Sequence, residues 1–221
     1  MQKQFQNRAE AGRLLAAKLT EFKDRRDVVI LALPRGGVPV GFEVAKALNA
    51  PLDVVIVRKL GVPGQEELAF GAIASGGTTV FNEELVRALR LPPALLERVV
   101  EKEQKELERR EKLYRPGKVA RDLDGKIVII VDDGLATGAT MRAAVTAILT
   151  LKPLQIVVAV PVASSDTCRD LKTKTDALCV CVMTPEPFYG VGMWYRDFEQ
   201  TTDEEVCRLL GQTASLTRKA A

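Results

Sequence analysis

The 221-residue chain contains no histidine. Every mechanism that needs an imidazole is thereby excluded, and a mixed Cys/His zinc site cannot be completed. Cysteine is sparse too: Cys168, Cys179, Cys181 and Cys207 are the only four. All are expected as buried, reduced thiols, with Cys179 and Cys181 on opposite faces of a strand. Charge of one sign is missing as well. The 32 basic and 29 acidic residues leave a net +3, too balanced to argue for nucleic acid. No apolar run approaches the roughly 18 residues of a membrane span. The opening MQKQFQNRAEAGRLL lacks the apolar core of a signal peptide, so a cytoplasmic location is expected. Aromatics make up 5% of the chain, and five of them crowd into residues 184–198. There is no internal repeat and no low-complexity tract.

The most informative stretch lies in the middle. Ile127-Val128-Ile129-Ile130-Val131 is apolar throughout and rich in β-branched residues, with no polar alternation. That suits a strand covered on both faces, as in a parallel sheet. It runs into Asp132-Asp133-Gly134-Leu135-Ala136-Thr137-Gly138-Ala139-Thr140. Two carboxylates come first, then small residues that let backbone N–H groups approach an anion, then a helix start with its positive end. A sugar phosphate fits that pairing. A second strand-turn-helix unit precedes it: a strand over 27–33, the turn Pro34-Arg35-Gly36-Gly37, and a helix over about 38–48. An arginine in such a turn can hold phosphate oxygens in a two-pronged contact; an ordinary tight turn with an exposed arginine is the alternative.

Other elements fill in an α/β order. A helix over 6–22 opens the chain, with Asn7 as a possible N-cap and no chemistry assigned. A strand over 52–57 ends at Arg58-Lys59 and feeds a Gly/Pro-rich segment. Strands over 70–74 and 78–81 are expected to form a hairpin, read either as a mobile lid or as a plain excursion. The longest helix, 92–115, starts on Pro92-Pro93 and carries one apolar edge. Strands over 154–160 and 177–182 flank a helix over 164–172. The aromatic tail is either a loop stacking on a planar ligand or a loop pinned to the core by large side chains. A short helix from 203 closes the chain.

Val128–Thr140, VIIVDDGLATGAT, resembles the ribose-5-phosphate signature of type I phosphoribosyltransferases, with residue type constrained at about thirteen consecutive positions. Pro34-Arg35-Gly36-Gly37 sits where that family's pyrophosphate loop belongs. Arg58-Lys59 before Gly61-Val62-Pro63-Gly64 is similar to the start of its flexible loop, and the aromatic tail falls where its hood lies. The resemblance covers about residues 27–198. It implies one domain over 1–221: a mainly parallel twisted sheet with helices on both faces (about 27–183), a flexible loop (about 59–81), an inserted helix (about 92–115) and a hood (about 184–199).

The chemistry it implies is phosphoribosyl transfer from phosphoribosyl pyrophosphate, with Mg2+, to a nitrogenous base in nucleotide salvage. Asp132 and Asp133 would hold the ribose hydroxyls, directly or through the metal. Ala136, Thr137, Gly138, Ala139 and Thr140 would cradle the 5′-phosphate. Arg35, Gly36 and Gly37 would hold the pyrophosphate, with Arg58 and Lys59 closing from the loop and Trp194 and Tyr195 meeting the base. A non-proline cis peptide is expected at Arg35–Gly36, and a homodimer as the assembly. Alanine at 136, where 6-oxopurine members carry aspartate, argues against hypoxanthine or guanine. Glu66 or Glu67 is a candidate replacement acid or base. A regulator that senses the donor without turnover is the alternative function.

Overall fold

The computed structural model describes residues 4–117, 121–175 and 177–218. Helix α1 (Arg8–Ala16) is capped by Asn7, whose side chain accepts from the Glu10 N–H. It is shorter than expected, because a 3-10 turn over Thr20–Phe22 takes the rest. Then follow β1 (Val28–Ala32), α2 (Gly37–Leu48), β2 (Leu52–Val54), β3 (Val57–Val62), β4 (Gln65–Ala74) and β5 (Thr78–Phe81). A short helix α3 (Glu83–Ala88) precedes the long α4 (Pro93–Tyr114). The chain continues through β6 (Ile127–Val131), α5 (Ala139–Leu149), β7 (Gln155–Val162), α6 (Ser165–Thr175), β8 (Leu178–Met183), a 3-10 turn (Val191–Trp194) and α7 (Asp203–Arg218).

Five strands pair in parallel in the order β2-β1-β6-β7-β8. The unbroken apolar runs explain the central position of β1 and β6, since all five residues of each are buried. The pleat then sorts them by period two. Val28, Ile30 and Ala32 join Ile127, Ile129 and Val131 in a core with residues of α2, α4 and α7. Val29 and Leu31 join Val128 and Ile130 against residues of α5 and α6. Burying each such Val or Ile fully contributes about 1.5–3 kcal/mol, so helices on both faces follow from the pattern.

Three expectations change here. The strand read as 52–57 stops at Val54, and the chain crosses through buried Val55 and Ile56 into a second, antiparallel sheet, β3-β4-β5. Arg58 and Lys59 therefore lie on a paired strand, opposite Ile73 and Ala72, rather than at the mouth of a loop. The hairpin is longer than expected, because β4 begins at Gln65 and pairs back to Val62. Cys179 and Cys181 both approach Cys168 of α6. Residues two apart in a strand share a face, which corrects the expectation of opposite faces. Among the described residues no helix is long and apolar enough to cross a membrane.

Candidate active site

The sheet order reverses between β1 and β6: the chain leaves β1 toward β2 on one side and returns through β6 on the other. Open α/β sheets bind ligands outside the carboxyl ends of the strands at such a point. The two motifs singled out by sequence are the two turns that meet there. Leu33 N–H donates to the Val131 carbonyl at 2.9 Å, tying the turns together. A Cβ on Gly36 would stand 2.1 Å from Asp133 Oδ2, and one on Gly37 would stand 2.6 Å from the Val131 carbonyl oxygen. At Gly37 the obstacle is backbone and admits no side chain, while at Gly36 a side chain would have to displace the Asp133 carboxylate. The non-proline cis peptide is at Pro34–Arg35, one bond before the expected Arg35–Gly36.

Asp132 and Asp133 follow β6 directly. The Asp133 N–H donates to Asp132 Oδ1 at 2.8 Å. Burial pushes the Asp132 carboxyl well above the usual carboxylate range, and the neighbouring Asp133 charge adds to this. Burial raises Asp133 too, against the pull of Arg8. Arg8 Nε and Nη2 both lie 2.9 Å from Asp133 Oδ2. The same guanidinium donates to the Glu199 carbonyl at 2.7 Å and sits 4.0 Å over the Phe198 ring. Sequence reasoning gave α1 no chemistry and missed Arg8. An ion pair between residues so far apart leaves no local signal.

The small-residue loop after the acids turns into α5 through Gly138, whose φ of 70° favours glycine. Ala139 and Thr140 open the first turn of that helix. Thr167 Oγ1 donates to the Ala136 carbonyl at 2.5 Å and Arg142 Nη1 to the Thr137 carbonyl at 2.8 Å. These two donors hold the loop by its carbonyls, the ends of its peptides opposite to those an anion would use. Neither donor was foreseen. Thr167 reaches the loop because Leu135 bridges to Ala163 just before α6.

Arg35 extends from the turn toward α7, with Nη1 3.7 Å from Asp203 Oδ1, an acceptor it shares with the Tyr114 hydroxyl at 2.6 Å. Arg58 is held elsewhere: its Nε donates to Glu103 Oε2 of α4 at 2.7 Å. Arg58 and Lys59 line a cleft of about 690 Å³ with Glu66, Arg98, Lys102 and other residues of the hairpin and α4. That lining includes none of residues 34–37 or 132–140. Glu66 is exposed, and amide donation from its own N–H and that of Gly64 lowers its carboxyl. The Glu67 side chain lies outside the described residues.

The aromatic tail divides. Trp194 and Tyr195, expected to face a base, are 5% and 4% exposed and pack with Phe5 and Val162. The Tyr195 hydroxyl donates to the Asp133 carbonyl at 2.5 Å, so this ring braces the acidic pair from beneath. Large rings with one polar tip pin loops in this way. Tyr189 and Met193 of the same stretch are exposed instead, at 79% and 62%.

A family model described as phosphoribosyl transferase domain matches residues 1–183. A Mycobacterium tuberculosis protein named "Putative phosphoribosyl transferase Rv0571c" is 47% identical over 208 residues. That match takes in 94% of this chain and 46% of the relative, so the chain spans about half the relative's length. The crystal structure of TT1426 from Thermus thermophilus is 40% identical, with a TM-score of 0.85 over 95% of this chain and 98% of that one. With the two turns, the acidic pair and the glycine-capped helix at one switch point, these likenesses show that the chain belongs to the phosphoribosyl transferase domain family.

Proposed function

We propose that this protein transfers the 5-phosphoribosyl group from phosphoribosyl pyrophosphate to a nitrogenous base or similar small acceptor, releasing pyrophosphate, with magnesium. The observation that carries the reading is the meeting of the Arg35-Gly36-Gly37 turn with Asp132 and Asp133 at the sheet's switch point. One turn offers amides and a guanidinium for a pyrophosphate. The other offers carboxylates for hydroxyls and a helix start for a phosphate. A ribose carrying phosphate at one end and pyrophosphate at the other matches that layout.

Asp132 and Asp133 would hold the ribose hydroxyls, and the amides of Ala136 to Thr140 the 5′-phosphate. Arg35 would turn from Asp203 to the pyrophosphate. Its present ion pair is long and about a third exposed, a kind worth about 0–1 kcal/mol, so the exchange costs little. The donor set also fits magnesium. Two enclosed carboxylates lie beside one arginine, Arg8, as counter-charge, and carboxylate oxygens suit this hard cation. Among the described residues no cluster of three or more His, Cys, Asp or Glu could hold a metal. Magnesium is commonly bound by one or two carboxylates together with substrate phosphates. When bound it would neutralise donor oxygens; positioning and water exclusion fall to the chain. Because the leaving group is an anion, no strong nucleophilic side chain is needed. An aimed charge such as Arg35 should be worth roughly 3–4 kcal/mol of barrier.

Ala136 leaves the acceptor's proton unattended, which disfavours 6-oxopurines. Glu66, held ionised, suits a base rather than an acid. With Trp194 and Tyr195 turned inward, a planar acceptor would meet Tyr189 and Met193. A second reading, a sensor of the donor without turnover, is favoured by one observation: Arg58, on the antiparallel sheet, is already committed to Glu103. The deciding experiment is a panel of purine and pyrimidine bases with donor and magnesium, monitored for pyrophosphate. Release with any base supports transfer. Donor binding without release on any base supports the sensor, and no donor binding at all sinks both.

A further inference from the structure

Three of the four cysteines gather in one place outside the site. Cys179 and Cys181 share a face of β8, and α6 lays Cys168 across them. The Cys179 Sγ lies 3.1 Å from the Cys168 Sγ, and the Cys181 Sγ lies 4.0 Å from it. All three side chains are partly exposed. A disulfide needs an S–S length of about 2.05 Å and Cβ atoms about 3.5–4.5 Å apart. Cys179 and Cys181 stand two residues apart along a strand, about 6.6 Å at the usual rise, so they cannot bridge each other. Cys168 is the partner either of them requires.

We propose that Cys168, Cys179 and Cys181 form a peroxide-responsive thiol–disulfide site centred on Cys168, whose oxidation is transmitted to the loop of residues 136–140 through Thr167. The second half rests on geometry next to Cys168. Thr167 Oγ1 donates to the Ala136 carbonyl, Ser164 Oγ donates to Thr167 Oγ1 at 2.7 Å, and the Cys168 N–H donates to the Ser164 carbonyl at 3.2 Å. A Cβ on Gly138 would also meet the Thr167 methyl at 2.7 Å. The first turn of α6 therefore touches both the thiols and the loop. Its bearing on donor binding, though not the site itself, rests on the function proposed above.

The chemistry needs one peroxide per disulfide. Cys181, lowered from the usual range by hydrogen bonds from Cys168 and then Cys179, can act as the first nucleophile, since the thiolate is the reactive form. Its sulfur attacks the peroxide: an S–O bond forms, the O–O bond breaks, and the leaving oxygen takes a proton from water. Cys168 sulfur then attacks the Cys181 sulfur, forming S–S and breaking S–O, and its proton leaves with the hydroxide as water. Cys179 can next attack Cys168, giving the Cys168–Cys179 disulfide and returning its proton to Cys181. A small dithiol then reduces the protein disulfide to two thiols by exchange and is itself oxidised to a disulfide.

The test treats the purified protein with near-stoichiometric hydrogen peroxide, counts thiols, and maps cross-links by mass spectrometry. Two of four thiols should disappear and return with dithiothreitol, with Cys168 joined to Cys179 or Cys181. Cys207→Ser should behave the same, because that thiol lies apart and donates to the Leu113 carbonyl. Cys168→Ser should give no intramolecular bridge, while Cys179→Ser and Cys181→Ser should each keep one. A bridge in Cys168→Ser, or oxidation of the native protein to isolated sulfenic or sulfinic acids, overturns the site. Hydrogen exchange without donor reads the coupling independently of any activity. Amides of residues 136–140 should exchange several-fold more slowly in the oxidised protein, and unchanged rates overturn that half.

Discussion

At the switch point, β1 and β6 are buried along their whole length and the turns that leave them touch backbone to backbone. At the tip of the β3–β4 ribbon, residues 63–66 are exposed, and the Gly64 amide donates to Glu66 within the turn itself. Each region carries residues that sequence reading assigned to the same anionic ligand. The first is braced from three sides: Arg8 on Asp133, Tyr195 beneath it, and Gly36 against it. The second is anchored at its base, where Leu60, Phe70 and Ile73 are buried and Arg58 pairs with Glu103. A rigid half that holds and a ribbon free at its tip suit a site that must first bind and then enclose. Structure with few buried contacts is also where local opening is cheapest.

Mutations can break or sharpen this contrast. The largest effect is expected from Asp132→Asn with Asp133→Asn. Magnesium-dependent donor binding, followed by calorimetry, should vanish; undiminished binding would mean the ligand sits elsewhere. Next, Leu107→Ala removes a side chain of α4 with no exposure and should cost about 2–5 kcal/mol in urea unfolding. Gly37→Ala forces a methyl onto the Val131 carbonyl and should cost about 1–3 kcal/mol. Crystals of that variant should show β1 and β6 pushed apart at their ends, and a variant as stable as the parent would refute the close-approach account.

Glu103→Ala leaves Arg58 partly buried without its carboxylate, a loss of about 1–3 kcal/mol. Because the damage lies at the ribbon's base, hydrogen exchange should rise in β3 and β4 while β1 and β6 stay protected. Smallest is Glu106→Gln on the solvated face of α4. Hydrogen bonds from Arg109 and then Arg110 lower the Glu106 carboxyl to about 2. A lowered carboxylate contributes stability above its unfolded value of about 4.3, and loses it as pH falls through the folded value. With Glu106 about a third exposed and Arg109 more so, the interaction should be worth under about 1 kcal/mol at neutral pH. Native and variant unfolding midpoints should therefore differ slightly at pH 7 and converge near pH 2.

What the sequence made legible follows the same divide. The apolar run 127–131 and the strand before Pro34 are patterns that burial on both faces alone can satisfy, so the core and its switch-point turns could be read directly. The glycines of those turns could be read because close approach admits nothing larger. Arg8 could not be foreseen, since its partner lies 125 residues away. The hood was ambiguous for a different reason. A cluster of rings reports that something will be covered, and composition cannot tell a ligand from the protein's own Phe5. Arg58 and Lys59 keep their type but change setting, because a basic pair before a Gly/Pro segment reads alike whether the chain there is loop or strand.

The strand-like seam between the N-terminal segment and the hood sets an order on assembly. Phe5 N–H donates to the Trp194 carbonyl, Arg196 N–H donates back to the Phe5 carbonyl, and Arg8 reaches Glu199 across 191 residues of sequence. Contacts so remote close late, after the intervening chain has given up its freedom. On a ribosome the parallel strands can pair while the hood is still in the exit tunnel, yet α7 completes their core and Asp133 gains its Tyr195 brace only once the later segments emerge. A nascent or truncated chain would thus display strands whose acidic pair already meets Arg8 and Gly36 but still lacks its Tyr195 brace, and the seam makes a finished site conditional on a finished hood.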